Sequence, residues 1–242
     1  MIKTLIGVNC LQNIDSKVYS SHCQFWFRTK QHYPEDQFFF YTPNRMSIDR
    51  MRNEAAKIAM EAECDYLMFI DDDVIVHPDT FKSLYECNLD IVMAHTYIRG
   101  YPYPPMAFKF NDNGELPYFK NYKDFIDSSG IYACDAVGFS CVLIKTWLFK
   151  TIPPPYFITG SANTEDIYFC LKAKDVIGES VTIGVDTKVP TAHRVDNYYI
   201  TEENVERLRR LNEAEDPSIL VNQNTAWRTF EEVEENIAIC FG

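Results

Sequence analysis

Two rhythms run along the chain: short apolar runs suited to buried strands, and apolar stripes at helical spacing. Residues 4–8 (Thr-Leu-Ile-Gly-Val) and Gln37–Tyr41 (Gln-Phe-Phe-Phe-Tyr) read as buried strands. Ser47 stands where a helix cap belongs, with Met51, Ala55, Ile58, Ala59 and Ala62 on one helical face behind it. Residues 66–70 form a third strand-like run. His77-Pro78-Asp79 then opens a short helix carrying Phe81, Leu84 and Tyr85, and residues 90–94 return as a strand. Further on, residues 136–144 are apolar and small enough for a strand. Glu165–Ile177 reads as a helix stopped by Gly178, and Val181, Ile183 and Val185 alternate as a half-buried strand. Thr201 is placed to cap a polar helix with Val205, Leu208 and Leu211 inward. Strands alternating with helices predict an α/β fold, with a mostly parallel central sheet flanked by helices.

The middle of the chain has another character. Residues 97–110 are rich in aromatics and proline, which predicts a stiff loop, and Asp112-Asn113-Gly114 predicts a turn between two arms of a small antiparallel hairpin. Pro153-Pro154-Pro155 marks a rigid loop, and the last thirty or so residues read as further helix. No repeat or linker divides the chain. Residues 1–200 are expected to form one domain, with 201–242 a C-terminal helical extension packed on it.

Composition narrows the function. A chain of 242 residues with 46% hydrophobic content can bury a real core. Its net charge of −12 repels nucleic acid and anionic membrane unless a local basic groove intervenes. The eight cysteines (Cys10, Cys23, Cys64, Cys87, Cys134, Cys141, Cys170 and Cys240) form no CxxC pair, so they read as reduced thiols rather than a disulfide frame or a zinc site. The N-terminus turns polar too soon for a signal peptide. No apolar run approaches the roughly 20 residues of a transmembrane helix. A cytoplasmic protein is expected.

The most informative stretch is the strand at 66–70 running into Asp71-Asp72-Asp73. A central strand of an open α/β sheet delivers its C-terminal end to the crevice where ligands bind. Three acids there repel one another and suit a hard divalent cation, which takes oxygen ligands. A solvated acidic turn would read the same way. Two later features matter beside it. Thr164-Glu165-Asp166 opens a helix, where acids are also ordinary capping residues, and His193 follows a strand.

Taken in series, these motifs resemble a nucleotide-sugar glycosyltransferase of the GT-A fold, in the broad family-2-like group. Asp71-Asp72-Asp73 matches the DXD motif, and Arg52-Asn53 the Arg-Asn that often precedes it. The segment from Val137 to Lys145 resembles the small-residue strand under the acceptor site. Thr164-Glu165-Asp166, with Phe169 three residues on, resembles the Glu-Asp motif, and Asp186 to His193 the strand and loop of the third metal ligand. The resemblance implies Mn²⁺ or Mg²⁺ held by Asp71, Asp73 and His193, with Asp71 on the ribose or a metal-bound water. Asp71, Asp72, Arg52 and Asn53 would sit against a nucleoside-diphosphate sugar, most simply a UDP-sugar. Asp166 would be the general base of an inverting transfer, supported by Glu165. Lys188 and Arg194, flanking His193, could clamp the diphosphate.

Other readings stay open. Tyr41-Thr42-Pro43-Asn44 offers no carboxylate to read a uracil, and Val8-Asn9-Cys10-Leu11 lacks the usual first-strand signature. A metal-dependent phosphohydrolase of the haloacid-dehalogenase type also uses Asp-x-Asp after a strand. A non-catalytic nucleotide- or carbohydrate-binding module would keep the metal and not need Asp166. Arg99, Tyr101 and Tyr103, like Tyr156 and Phe157, could form an acceptor platform or simply cover the core edge. His95 reads as structural. The acceptor could be a glycan, a small molecule or a modified nucleic-acid base.

Overall fold

The computed structural model describes residues 1–10, 13–43, 45–114, 116, 130–161, 163–195 and 198–213. In chain order the elements are β1 (Lys3–Asn9), α1 (Ser16–His32), β2 (Gln37–Tyr41), α2 (Ile48–Glu61), β3 (Tyr66–Asp71), β4 (Val74–Ile75) and α3 (Thr80–Cys87). Then come β5 (Ile91–His95), β6 (Ala107–Phe108), β7 (Ile131–Ala133), β8 (Ala136–Val137), β9 (Cys141–Lys145) and α4 (Trp147–Thr151). The chain continues through α5 (Glu165–Ile177), β10 (Ile183–Pro190), β11 (Ala192–Val195), β12 (Tyr198–Ile200) and α6 (Val205–Glu213).

The expected α/β architecture is present. A seven-stranded sheet runs in the order β2-β1-β3-β9-β5-β10-β7, in which β2, β1, β3, β5 and β10 point one way. The other two strands, β9 and β7, are antiparallel to their neighbours. Smaller antiparallel sheets join β12, β11 and β4, and β6 with β8. Inserting β9 between β3 and β5 is what shapes the crevice. It brings the start of β9 beside the end of β3, where the Asp71 N–H donates to the Ser140 carbonyl at 2.8 Å.

Strand alternation sends successive side chains to opposite faces. Leu67 and Phe69 join a core with Leu5, Met93 and Val142 beneath α2 and α5, while Met68 and Ile70 join another with Ile6, Val92 and Leu143 beneath α1 and α3. Continuing that parity, Asp71 belongs to the α2–α5 face.

Several expectations change. Gln37–Tyr41 is a strand but not a buried one. It lies at the sheet edge with β1 as its neighbour, and Phe39 and Phe40 are 41% and 52% exposed. The run 136–144 divides into β8 and β9, because Gly138 passes Met106 so closely that a Cβ would meet its Cε at 2.3 Å. The turn at 112–114 forms, with the Gly114 N–H on the Asn111 carbonyl at 3.0 Å. However, β6 before it pairs with β8, and the far arm lies outside the described residues. Helix α1 has no counterpart in the sequence reading. The chain beyond 213, most of the expected extension, also lies outside the described residues, as does the Leu211 side chain; Val205 and Leu208 of α6 pack on the α2–α5 core. Among the described residues no helix is long and apolar enough to cross a membrane, and no disulfide forms.

Candidate active site

Asp71 ends β3 on the face covered by α2, and there it meets Arg52. This guanidinium is almost wholly buried, at 2% exposure, and lies against both the Phe69 and Phe139 rings, at 5.6 and 5.5 Å. A buried cation must be paired. Its Nη1 donates to Glu165 Oε1 at 2.5 Å, and its Nη2 donates to the Phe139 carbonyl at 3.2 Å and to Asp71 Oδ1 at 3.4 Å. Burial lowers the Arg52 pKa, but the Asp71 and Glu165 carboxylates outweigh it and hold it above the ordinary value. Asn9, in register with Asp71 on the neighbouring β1, donates a hydrogen bond from its Nδ2 to the same Oδ1 at 3.2 Å. Even so, burial, joined by the charge of Asp73, pushes the Asp71 carboxyl up to about 6 against the pull of Arg52.

Asp73 lies in the turn between β3 and β4 and keeps different company. Its Oδ2 accepts from Arg99 Nη1 at 2.7 Å, and its Oδ1 faces His193 Nε2 at 3.5 Å. Burial raises its pKa, but His193 and Arg99 outweigh that and hold it below the usual carboxylate value. His193 reaches this place because β11 pairs with β4, setting His193 opposite Val74. Its Nδ1 lies 2.6 Å from the Tyr97 carbonyl. A carbonyl only accepts, so Nδ1 carries a proton, and Nε2 is the ring nitrogen turned toward Asp73. That is the arrangement in which metal-ligating histidines are held. Asp72 is half-buried in the same turn.

The third part is the start of α5. Thr164 is the N-cap residue, and its hydroxyl donates to Asp166 Oδ1 at 2.5 Å, which also takes the Ile167 N–H at 2.8 Å. Asp166 Oδ2 is held more loosely, by the Phe139 N–H at 3.3 Å. Glu165 Oε2 receives the Thr159 hydroxyl at 3.3 Å. Both acids are more than nine-tenths buried, in the first turn of α5.

Asp71, Arg52, Glu165 and Asp166 are thus brought into one buried cluster, with Asp73 and His193 beside it. The expected metal trio does not close. Among the described residues no three His, Cys, Asp or Glu side chains converge tightly enough to hold an ion alone, because Asp71 turns to Arg52 and Asn9. Asp73 and His193 remain as a pair of donors, a carboxylate and a tautomer-fixed imidazole. They fit a divalent ion whose other ligands are phosphate oxygens and water, the usual way of holding Mg²⁺.

Asn53 does different work. Its Oδ1 accepts the Tyr156 and Phe157 N–H groups at 2.8 and 3.2 Å, and its Nδ2 donates to the Phe157 carbonyl at 2.7 Å, fastening the proline loop to α2. Lys188 is not brought to the acids; its Cε lies where a Cβ on Gly130 would come within 3.2 Å of it. Arg194 pairs instead with Asp15 at 3.7 Å, beside the N-cap of α1. Tyr103 is buried and hydrogen-bonds Tyr198 and Asn212, whereas Tyr101 is 53% exposed. Phe157 is buried in an aromatic cluster with Phe139 and Phe169. His95 is buried at the end of β5, where desolvation brings its pKa down to about 4, consistent with a structural part. Thr164 is the N-cap that its place before the acids suggests, whereas the contacts of Asn9 with Asp71 and of Arg99 with Asp73 were missed. Asn9 alone left a signal, as a polar residue ending an otherwise apolar central strand.

No protein-family model and no curated protein matches this chain. Among solved structures, A197 from STIV superposes with a TM-score of 0.56 at 15% identity, covering 84% of this chain and 91% of that one. This likeness shows a shared fold. UDP-glucose pyrophosphorylase complexed with UDP-glucose gives a TM-score of 0.43 at 11% identity, over 77% of this chain and 90% of that one. The 4-diphosphocytidyl-2C-methyl-D-erythritolsynthase from Anaerococcus prevotii gives 0.41 at 8% identity, over 87% and 96%. Scores at that level add nothing to the argument.

Proposed function

We propose that this chain is a metal-dependent glycosyltransferase of the GT-A type, moving a sugar from a nucleoside-diphosphate donor to an acceptor hydroxyl with inversion. The observation that carries the reading is the His193–Asp73 pair. The imidazole tautomer is fixed by the Tyr97 carbonyl, so that Nε2 and a carboxylate oxygen face one point at the C-terminal end of β3. Asp73 and His193 would hold Mn²⁺ or Mg²⁺. When bound, the ion neutralises charge growing on the leaving diphosphate.

The rest is the work of the chain. Asp166, anchored through Oδ1, keeps Oδ2 for the acceptor: it takes the hydroxyl proton as that oxygen attacks the anomeric carbon. The bond from that carbon to the diphosphate breaks, the nucleoside diphosphate leaves with the bonding electrons, and a single displacement inverts the centre. Arg52 ties Glu165 to Asp71 and so fixes the base-bearing helix against the donor-bearing strand. Asn53 supports the loop at 153–157 on the acceptor side. We place the reaction in the cytoplasm, since buried thiols such as Cys170, pushed up to about 12 by desolvation, are built to stay reduced and inert.

A panel of nucleotide-sugars, each with Mn²⁺ or with chelator, tests the reading through thermal stabilisation and donor hydrolysis. Stabilisation by at least one donor, lost on chelation, supports it. Hydrolysis of a phosphomonoester with no response to any nucleotide-sugar would turn the assignment to a phosphohydrolase.

A further inference from the structure

Arg99 is the cation the site already holds. It sits in the loop between β5 and β6, which is pinned by its own backbone. The Ile98 N–H bonds the Pro104 carbonyl at 2.8 Å, the Tyr103 N–H bonds the Gly100 carbonyl at 2.8 Å, and Tyr97 bridges to Pro105. The ion pair with Asp73 is therefore not what shapes the loop. Two residues earlier, the Tyr97 carbonyl fixes the His193 tautomer. One short segment thus orients the His193 imidazole and delivers a guanidinium to the carboxylate that faces it.

The two partners differ in exposure. The Arg99 side chain is 59% exposed and that of Asp73 22%. Pairs with so exposed a member contribute little and exchange readily. A divalent ion between Asp73 and His193 would repel a guanidinium bonded to the same carboxylate. A diphosphate arriving with that ion offers the fork the oxygens it suits best, because guanidinium and phosphate bond in bidentate fashion.

We propose that Arg99 occupies the cation position at Asp73 in the donor-free protein and moves to the donor's diphosphate when metal and donor bind. It is a donor-binding residue rather than part of an acceptor platform, and it keeps the acidic turn neutralised between turnovers. This inference rests on the donor-binding reading above.

Calorimetry on the full chain separates the two. Mn²⁺ alone is titrated into wild type, Arg99→Ala and Arg99→Lys, and then UDP and GDP are titrated with Mn²⁺ saturating. Arg99→Ala removes a competitor from Asp73, so Mn²⁺ alone should bind about two- to fivefold tighter, the range of an exposed ion pair. The same variant should bind the nucleoside diphosphate at least about tenfold more weakly, as expected for a lost hydrogen bond to a charged group. Arg99→Lys, keeping charge without the fork, should fall between. If wild type binds but Arg99→Ala leaves either affinity unchanged, the exchange is wrong and the donor-binding reading stands. If wild type binds neither Mn²⁺ nor either nucleotide, both fall.

Discussion

Asp71 answers to a buried guanidinium whose remaining bonds go to Glu165 and the Phe139 carbonyl. Asp73, two residues later, answers to an exposed guanidinium and the His193 imidazole. Burial raises both, and their partners set them apart: the Asp71 carboxyl is pushed up to about 6 against Arg52, whereas His193 and Arg99 hold Asp73 below the usual value. One acid is built into the frame joining β3, α2 and α5. The other is left where a ligand can exchange for its partner. The contrast shows how a turn of three carboxylates can be tolerated without a metal: one is neutralised inside and another from outside.

The largest expected effect concerns Asp166, which stands on the framed side but keeps one loosely held oxygen. Asp166→Asn preserves shape and removes the basic lone pair. Turnover should fall on the order of 10²–10⁴-fold, the usual contribution of a positioned general base, with donor affinity near wild type. Product NMR is the independent check; a retained anomeric configuration would remove Asp166 from this role.

Next in size is Arg52→Met, which breaks the frame and leaves buried Glu165 and half-buried Asp71 without their cation. Losing one partner of a buried charge network costs about 3–5 kcal/mol. Urea unfolding should show it, and an effect under about 1 kcal/mol would mean that Arg52 is dispensable to the fold.

The sequence made the framed half more legible than the exchangeable half, for a physical reason. Tyr66-Leu-Met-Phe-Ile70 running into acids and Glu165–Ile177 ending at Gly178 are local signals, and both elements appear where expected. Arg52 was picked out only by the resemblance, as the Arg of the Arg-Asn that precedes the acids. The Arg99–Asp73 and Tyr97–His193 contacts, by contrast, join segments 26 and 96 residues apart, and no periodicity encodes them. Adjacency to His193 also misled about Arg194. Neighbours on a strand point to opposite faces, and this one reaches Asp15. Helix α1 escaped because its buried stripe includes Ser21, His22 and Thr29, while Tyr19 and Phe27 lie outward. Its one clear mark was Asp15, whose carboxylate caps the Lys17 N–H at 2.9 Å.

A smaller effect probes the layer beneath both halves. Buried His95 titrates near 4, against about 6.5 when unfolded. Between those values the unfolded chain binds more protons, so stability is unaffected above the upper value and falls as pH drops toward the lower. Going from pH 7 to pH 5 should cost about 2 kcal/mol from this residue. His95→Gln should flatten that part of the profile in urea melts at the two pH values. An unchanged slope would assign the acid sensitivity to other groups.

The smallest stability change is expected at Asp73, where the comparison is sharpest. Asp73→Ala breaks the pair with the exposed Arg99, which is worth roughly 0–1 kcal/mol, and releases His193 from its partner. It also removes the like charge that helps to raise Asp71. These terms oppose one another, so the metal-free melt should stay within about 1 kcal/mol of wild type or rise slightly. Mn²⁺ binding measured on the same sample should disappear. A melt well below wild type would show that Asp73 is a member of the frame like Asp71, and the division between a built carboxylate and an exchangeable one would fail.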